Sequence, residues 1–316
     1  TCVVNPIGTL ASDRIMVPER SIEHNQTQSS TDWRETLEAL LRLCLNKAYP
    51  RKGGPCRQPS ILIRVCKGWS RGIMTKGLFI TGTDTDVGKT SVAVTILQQC
   101  VSLGIHCRAY KPVASGTQSG PSDIDRLWSA SGNAGTHDEV CPQSFQLPVA
   151  PEQAAAAEGR QVDDDLLRQG LQPHMLAELV LIEGAGGLFS PLSHQTLNVD
   201  LARDFQIPVV LVDSSRLGAI GRTLTAVTAA ESVGLTVSAV VLSQLESGNQ
   251  GEDKTPGGNK TPESPDVLAQ TAQAELQRRL PHLVVCGLGY NASTIQPLVE
   301  WQLIAEPLDV PFKTHP

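Results

Sequence analysis

The run Gly77-Leu78-Phe79-Ile80-Thr81 reads as a strand, and it passes without a spacer into Gly82-Thr83-Asp84-Thr85-Asp86-Val87-Gly88-Lys89-Thr90 and then into a segment with helical periodicity. A strand, a glycine-bounded loop and a helix in that order form a cradle for phosphate. Successive backbone N–H groups and the unpaired donors of the helix N-terminus point at one anion. Gly88 permits close backbone approach, Lys89 brings a cation to the β and γ oxygens, and the Thr90 hydroxyl is suited to a magnesium ion. The spacing departs from G-x-x-x-x-G-K-[ST]: the first glycine is Gly82, and Thr83 stands where the pattern requires glycine. The alternative, an ordinary Gly-rich turn, is disfavoured by the flanking strand and helix.

Beyond residue 77 strand and helix patterns alternate, which predicts parallel strands joined by crossover helices. Val92, Ile96, Leu97 and Val101 repeat at helical spacing and Gly104 ends that helix, after which Ile105–Tyr110 reads as a second strand. The uninterrupted apolar runs Leu179–Ile182, Pro208–Val212, Val237–Leu242 and Leu283–Leu288 are those of strands covered on both faces, with helices around Arg222–Ser232 and Val267–Leu280. The predicted fold class is α/β: a doubly wound, mostly parallel sheet of the P-loop NTPase type, with its ligand site beyond the carboxyl ends of the strands. Residues 1–76 differ in composition and are expected to be a poorly ordered extension, with one amphipathic patch at Trp33–Leu45 and Met74 just before the first core strand. The Gly-, Pro- and Asn-rich stretch Glu246–Pro265 reads as a mobile insertion, because it cannot bury enough apolar surface to offset chain entropy.

A net charge of -6 argues against nucleic acid as the main partner, since binding to phosphate backbones comes with a basic face. No apolar run has the length of a membrane helix and no signal pattern opens the chain, so a cytoplasmic location is expected. The 8 cysteines include no C-x-x-C pair, which disfavours zinc, and Cys100 reads as a small core residue.

Three further segments fall at strand ends. Lys111, in Lys111-Pro112-Val113-Ala114-Ser115-Gly116, is either a solvated surface charge or a second cation over the phosphates, and its position favours the second. Glu183, in Glu183-Gly184-Ala185-Gly186-Gly187, matches the metal-side carboxylate of phosphate-loop enzymes, against the alternative of a carboxylate capping a turn. Asp123 and Asp125, in Pro121-Ser122-Asp123-Ile124-Asp125-Arg126, are either ligands or helix starters.

In their order and spacing, Thr81–Thr90, Tyr110–Gly116, Val180–Gly187 and Ser190-Pro191-Leu192-Ser193 resemble the dethiobiotin synthetase family across most of 77–245. That resemblance implies a homodimeric ligase that converts 7,8-diaminononanoate, CO2 and MgATP to dethiobiotin, ADP and phosphate. It implies that Asp86, Val87, Gly88, Lys89, Thr90 and Ser91 wrap the phosphates, with Asp123, Glu183, Gly184, Ala185 and Gly186 completing the ATP site. It further implies that Thr90, Asp123 and Glu183 hold Mg2+, that Lys89 and Lys111 are catalytic, and that Ser115 and Thr85 meet the diamine. Two positions depart from the family. Ser243-Gln244 replaces an asparagine-containing pair that contacts adenine, and Gly221 replaces an asparagine in Arg216–Gly221, the segment expected to receive the substrate carboxylate across the dimer. The segment Gly289–Asn291 aligns only loosely with the nucleotide-base region. Two other classes compete: a nucleotide-sensing module of the same fold, and a switch ATPase of the partitioning or metal-insertion type. The first has no need of Lys89, Thr90, Lys111 and Glu183 together, and the second typically carries an early lysine where Asp84 stands.

Overall fold

A computed structural model describes residues 74–117, 122–245 and 265–308, all of which fall in one compact unit, Val65–Pro316. The Trp33–Leu45 patch and positions 246–264 lie outside the described residues, as does the extension up to residue 73. Pro265, assigned above to the insertion, instead heads a helix.

Eight strands form one sheet: β1 Lys76–Gly82, β2 Cys107–Tyr110, β3 Leu179–Gly187, β4 Val209–Ser214, β5 Val237–Ser243, β6 Val284–Leu288, β7 Ile295–Gln296 and β8 Glu306–Pro307. Their order is β2-β3-β1-β4-β5-β6-β7, with β8 paired on β1. Strands β1 to β6 are mutually parallel, and the two short strands β7 and β8 run antiparallel to β6 and β1. The longer helices are α1 Lys89–Ser102, α2 Asp123–Ala130, α6 Asn198–Phe205, α7 Ala219–Ser232 and α8 Pro265–Arg279. The short ones are α3 His137–Val140, α4 Pro151–Ala157, α5 Asp164–Gln169 and α9 Trp301–Ile304.

The period of two along the strands divides the core into two layers. Leu78, Ile80, Leu179, Leu181, Val210 and Val212 face the layer closed by Val92, Ile96 and Leu97 of α1 and Leu127 of α2. Phe79, Val180, Ile182, Val209 and Leu211 face the opposite layer, closed by Leu201 and Phe205 of α6, Val227 of α7 and Leu276 of α8. Leu78, Phe79 and Ile80 are fully buried, and each such side chain contributes about 1.5–3 kcal/mol relative to exposure. This two-sided burial is why the strands carry continuous rather than alternating apolar runs. The doubly wound expectation is met, and its crevice falls at the carboxyl end of β1, between β3 and β4.

Strand β3 runs further than the apolar pattern suggests. Glu183-Gly184-Ala185-Gly186-Gly187 is strand rather than turn, and Gly187 pairs with Gly82 across a register shift.

At the β2 edge of the sheet, packed against the Tyr110 ring, His174 is fully buried. Its Nε2–H donates to the Glu139 carbonyl at 2.9 Å, and Arg108 Nε donates to its Nδ1 at 3.4 Å, so the ring is held neutral. Burial, with the Arg108 charge, pushes its pKa down to about 4 despite the Glu139 carbonyl. A folded-state pKa below the unfolded value means that the unfolded chain binds the extra proton, so stability is full above the unfolded pKa and falls as pH drops toward 4. Between pH 7 and pH 5 the expected loss is about 2 kcal/mol. Urea midpoints of the parent and of His174→Gln at the two pH values check this, and the variant's midpoint should change less.

Candidate nucleotide and metal site

Helix α1 begins at Lys89 with no side-chain cap; its N-cap is Gly88, at φ 95°. The first-turn N–H groups are therefore left for an outside acceptor. A Cβ on Gly88 would lie 2.3 Å from Ser243 Oγ, so the loop rests directly on the end of β5. The displaced first glycine also has a physical reason. A Cβ on Gly82 would meet the Asp84 carbonyl oxygen and Val87 Cγ2, each at 2.7 Å, so the loop can curl back over β1 only from a glycine there. Asp86 completes the curl in the left-handed region at φ 55°.

Five polar side chains converge at the mouth of this loop. Lys111, only 6% exposed, donates from Nζ to Asp123 Oδ2 at 2.7 Å and to Glu183 Oε1 at 2.8 Å. Thr90 Oγ1 donates to the same Glu183 Oε1 at 2.8 Å. Lys89, also buried, donates from Nζ to the Asp84 carbonyl at 2.8 Å. Burial disfavours the Lys111 ammonium, but Glu183 and Asp123 outweigh it and hold the pKa above the ordinary lysine value. For Lys89 burial wins: together with the Lys111 charge it lowers the pKa, against the opposing pull of Glu183, Asp86 and Asp84. Burial would raise Asp123, yet the Lys111 charge and hydrogen bond, with Thr90, bring it below the usual carboxylate range. The reading of Lys111 as a solvated surface charge is thereby excluded.

The two aspartates separate in role. Asp125 accepts from the Ser122 N–H at 3.0 Å in a capping box at the start of α2, which is what a helix starter does. Asp123, two residues earlier, turns to Lys111 instead.

The cluster fits a hard divalent cation. Glu183 Oε2 is buried without a partner, and the nearby donors are a hydroxyl and two carboxylates, all oxygen. Among the described residues no three His, Cys, Asp or Glu side chains gather into a metal cage. A hydroxyl and two carboxylates, with phosphate and water to complete them, form the kind of oxygen donor set that magnesium takes.

The chain from Glu183 to Gly187 is held by Asn198, a residue the sequence pattern did not single out. Its Nδ2 donates to the Ala185 carbonyl at 2.6 Å and the Gly187 carbonyl at 2.8 Å, and a Cβ on Gly184 would collide with its Oδ1. Ser190 Oγ accepts from the Gly187 N–H at 2.9 Å. Such a glycine-lined strand end, fixed from behind, offers backbone and not bulk to a ligand.

The remaining candidates are more loosely placed. Ser91 Oγ accepts from Arg126 at 3.1 Å. Thr85 is exposed and Ser115 half-buried, and both lie on the loops that follow β1 and β2, alongside Lys89 and Lys111 in sequence. Val87 turns inward to the α1 layer of the core. Ser243 is buried under Gly88, while Gln244 donates to Asp266 at 2.8 Å. At Gly221, in the first turn of α7, a Cβ would meet nothing within 4 Å.

Residues 76–296 match the sequence family described as an AAA domain. An ATP-dependent dethiobiotin synthetase of Anaeromyxobacter dehalogenans is 40% identical over 173 residues, covering 54% of this chain and 77% of that one. The chain belongs to the ATP-dependent dethiobiotin synthetase family. Another member, from Rhodopirellula baltica, is 35% identical over 69% of this chain and 84% of its own, and one from Escherichia coli O157:H7 is 34% identical over 66% and 92%. Family membership makes the chain an enzyme of the ligase class that uses ATP. Among the described residues, no helix is long and apolar enough to cross a membrane.

Proposed function

We propose that this protein carboxylates 7,8-diaminononanoate and closes it to the cyclic urea dethiobiotin, with conversion of ATP to ADP and phosphate. The observation that carries the reading is the pair of buried lysines at one phosphate loop, Lys89 in the loop and Lys111 opposite it, locked to Glu183 and Asp123. Simple nucleotide hydrolysis brings neutral water to ATP. Here an anionic carbamate must approach an anionic γ-phosphate, and that encounter calls for concentrated, preorganised positive charge.

In this reading one amine of the diamine takes up CO2 as a carbamate and releases a proton. A carbamate oxygen then attacks the γ-phosphorus as ADP leaves. The second amine attacks the carbonyl of the resulting mixed anhydride, expels phosphate and closes the ring. The residues of the chain position and neutralise charge rather than form covalent bonds. The Lys89 ammonium and the free α1 donors bind the β and γ oxygens, and Lys111 neutralises the carbamate. Asp86, Val87, Gly88, Lys89, Thr90 and Ser91 enclose the phosphates by their backbone, with Gly184, Ala185 and Gly186 forming the facing wall. Thr85 and Ser115 flank the reacting amines. Thr90, Asp123 and Glu183 would hold Mg2+, which would neutralise charge on the β and γ oxygens when bound.

The protein is read as a cytoplasmic homodimer in which the first turn of α7, around Gly218–Gly221, receives the carboxylate of the diamine bound by the partner subunit. The backbone donors there do not depend on the residue at 221, and Gly221 leaves the approach open.

Phosphate release from ATP tests the reading. It should require both 7,8-diaminononanoate and CO2, with dethiobiotin as the product by mass. Phosphate release from ATP alone at the same rate would make the protein a switch ATPase, and tight nucleotide binding with no turnover under any condition would make it a sensor.

A further inference from the structure

Asp213, the penultimate residue of β4, is fully buried and has no part in the chemistry above. Its carboxylate accepts hydrogen bonds from the loop after β1, from α7 and from the neighbouring backbone. Thr83 Oγ1 donates to Oδ1 at 2.6 Å, from the loop position where the usual spacing has glycine. Arg222 Nε donates to the same oxygen at 3.2 Å and Thr223 Oγ1 to Oδ2 at 3.1 Å, both from the first turns of α7. The Ser214 N–H adds a fourth at 2.8 Å. The Arg222 guanidinium also reaches the Leu217 and Ser214 carbonyls, at 3.1 Å each, so it grips the segment that opens α7 as well.

We infer that Asp213 is a positioning residue that fixes the start of the phosphate loop to the N-terminus of α7, so that the two binding segments move as one. A carboxylate is suited to this because it accepts several donors at once, and its negative charge shortens and strengthens each bond. Thr83 is seated on its other side as well: its N–H donates to the Val212 carbonyl at 2.9 Å, and its carbonyl oxygen would be 3.1 Å from a Cβ on Gly187. The hydroxyl bond to Asp213 thus sets the angle at which the chain leaves β1 for the loop. The threonine that breaks the motif is therefore the hook by which α7 acts on the loop.

The role rests on the phosphate-loop reading but not on the identity of the ligase substrate, so direct nucleotide binding to the full chain is the readout. Titration with fluorescent MgADP should give about tenfold weaker binding for Thr83→Val, the scale of one charge-assisted hydrogen bond, while Thr83→Ser stays at the parent value. Arg222→Met removes a side chain with no hydrogen bond to the loop, and should weaken binding by about five- to tenfold through Asp213. Combined with Thr83→Val it should add little, because the link is already cut. If Arg222→Met proves too unstable to titrate, Thr223→Val reads the same link. Unchanged MgADP affinity in the α7 variant, or equal losses in Thr83→Val and Thr83→Ser, would overturn the inference and leave Asp213 as a purely structural buried acid. Loss of MgADP binding by the parent itself would instead refute the phosphate-loop reading.

Discussion

Lys111→Gln is expected to lower turnover at saturating ATP and diamine by roughly a hundredfold, about 3 kcal/mol of transition-state stabilisation, as for other preorganised charge stabilisers. The loss should appear in kcat more than in KM, because the negative charge on the attacking carbamate and the transferring phosphoryl group is best matched in the transition state. The same change should also lower stability. Glu183 is 1% exposed and keeps only the Thr90 hydroxyl when the ammonium is removed, and breaking one side of a buried ion pair costs on the order of 3–5 kcal/mol. Rates must therefore be expressed per mole of folded protein, counted by nucleotide titration. Lys111→Arg should recover only part of the rate, since a planar fork does not fill the place of a compact ammonium wedged between two carboxylates. Turnover of Lys111→Gln within twofold of the parent would remove Lys111 from the mechanism.

Gly88→Ala should abolish useful nucleotide affinity, with at least about a hundredfold weaker ATP binding, or some 2.7 kcal/mol. Two costs combine. The backbone at φ 95° belongs to glycine, and the new Cβ would stand 2.3 Å from Ser243 Oγ and 2.8 Å from Ser243 Cβ. The loop can escape that clash only by lifting off β5, which turns its N–H groups away from the phosphates. Adding Ser243→Gly should restore part of the affinity, because the clash with Ser243 disappears while the tight approach to Leu245 and the backbone strain remain. Equilibrium binding of ATP to the single and double variants measures both. Gly88→Ala binding within fivefold of the parent would mean that this loop is not the cradle.

Much of this architecture can be read from the chain because its elements advertise themselves locally. The apolar runs of β1, β3, β4 and β5 are unbroken because both faces are covered, and Gly88-Lys89-Thr90 needs only its neighbours to be understood. The short strands β7 and β8 and the helices α3, α4, α5 and α9 escaped the sequence reading. Each is six residues or fewer, or seven for α4, and too brief for a periodicity to emerge. At the site, Lys111, Asp123 and Glu183 were legible as strand-end and helix-start charges, and it is their mutual contact that sequence could not give. Asp213 and Asn198 were illegible for the same reason: one follows the apolar run of its strand and the other begins an unremarked helix, and only the fold brings them to the phosphate loop and the glycine-lined strand end. Conversely, Asp125 looked as chemical as Asp123 until the capping box accounted for it.

The pairing of β8 with the first two residues of β1 has a practical meaning for anyone who wishes to attach something to this molecule. Leu308 N–H donates to the Thr75 carbonyl at 2.7 Å, and the Leu308 side chain covers Gly77, so the first and last described residues meet at one seam. The phosphate loop begins at the far end of the same strand, and seven residues at about 3.3 Å each set the two roughly 20 Å apart. A tag, a fluorophore or a second enzyme fused directly before residue 74 or after residue 308 would start from the same doorway, at the opposite end of β1 from the phosphate loop. Joining residue 308 to residue 74 there and reopening the chain in a surface loop would give a circular permutant that keeps every strand of the sheet in its present order.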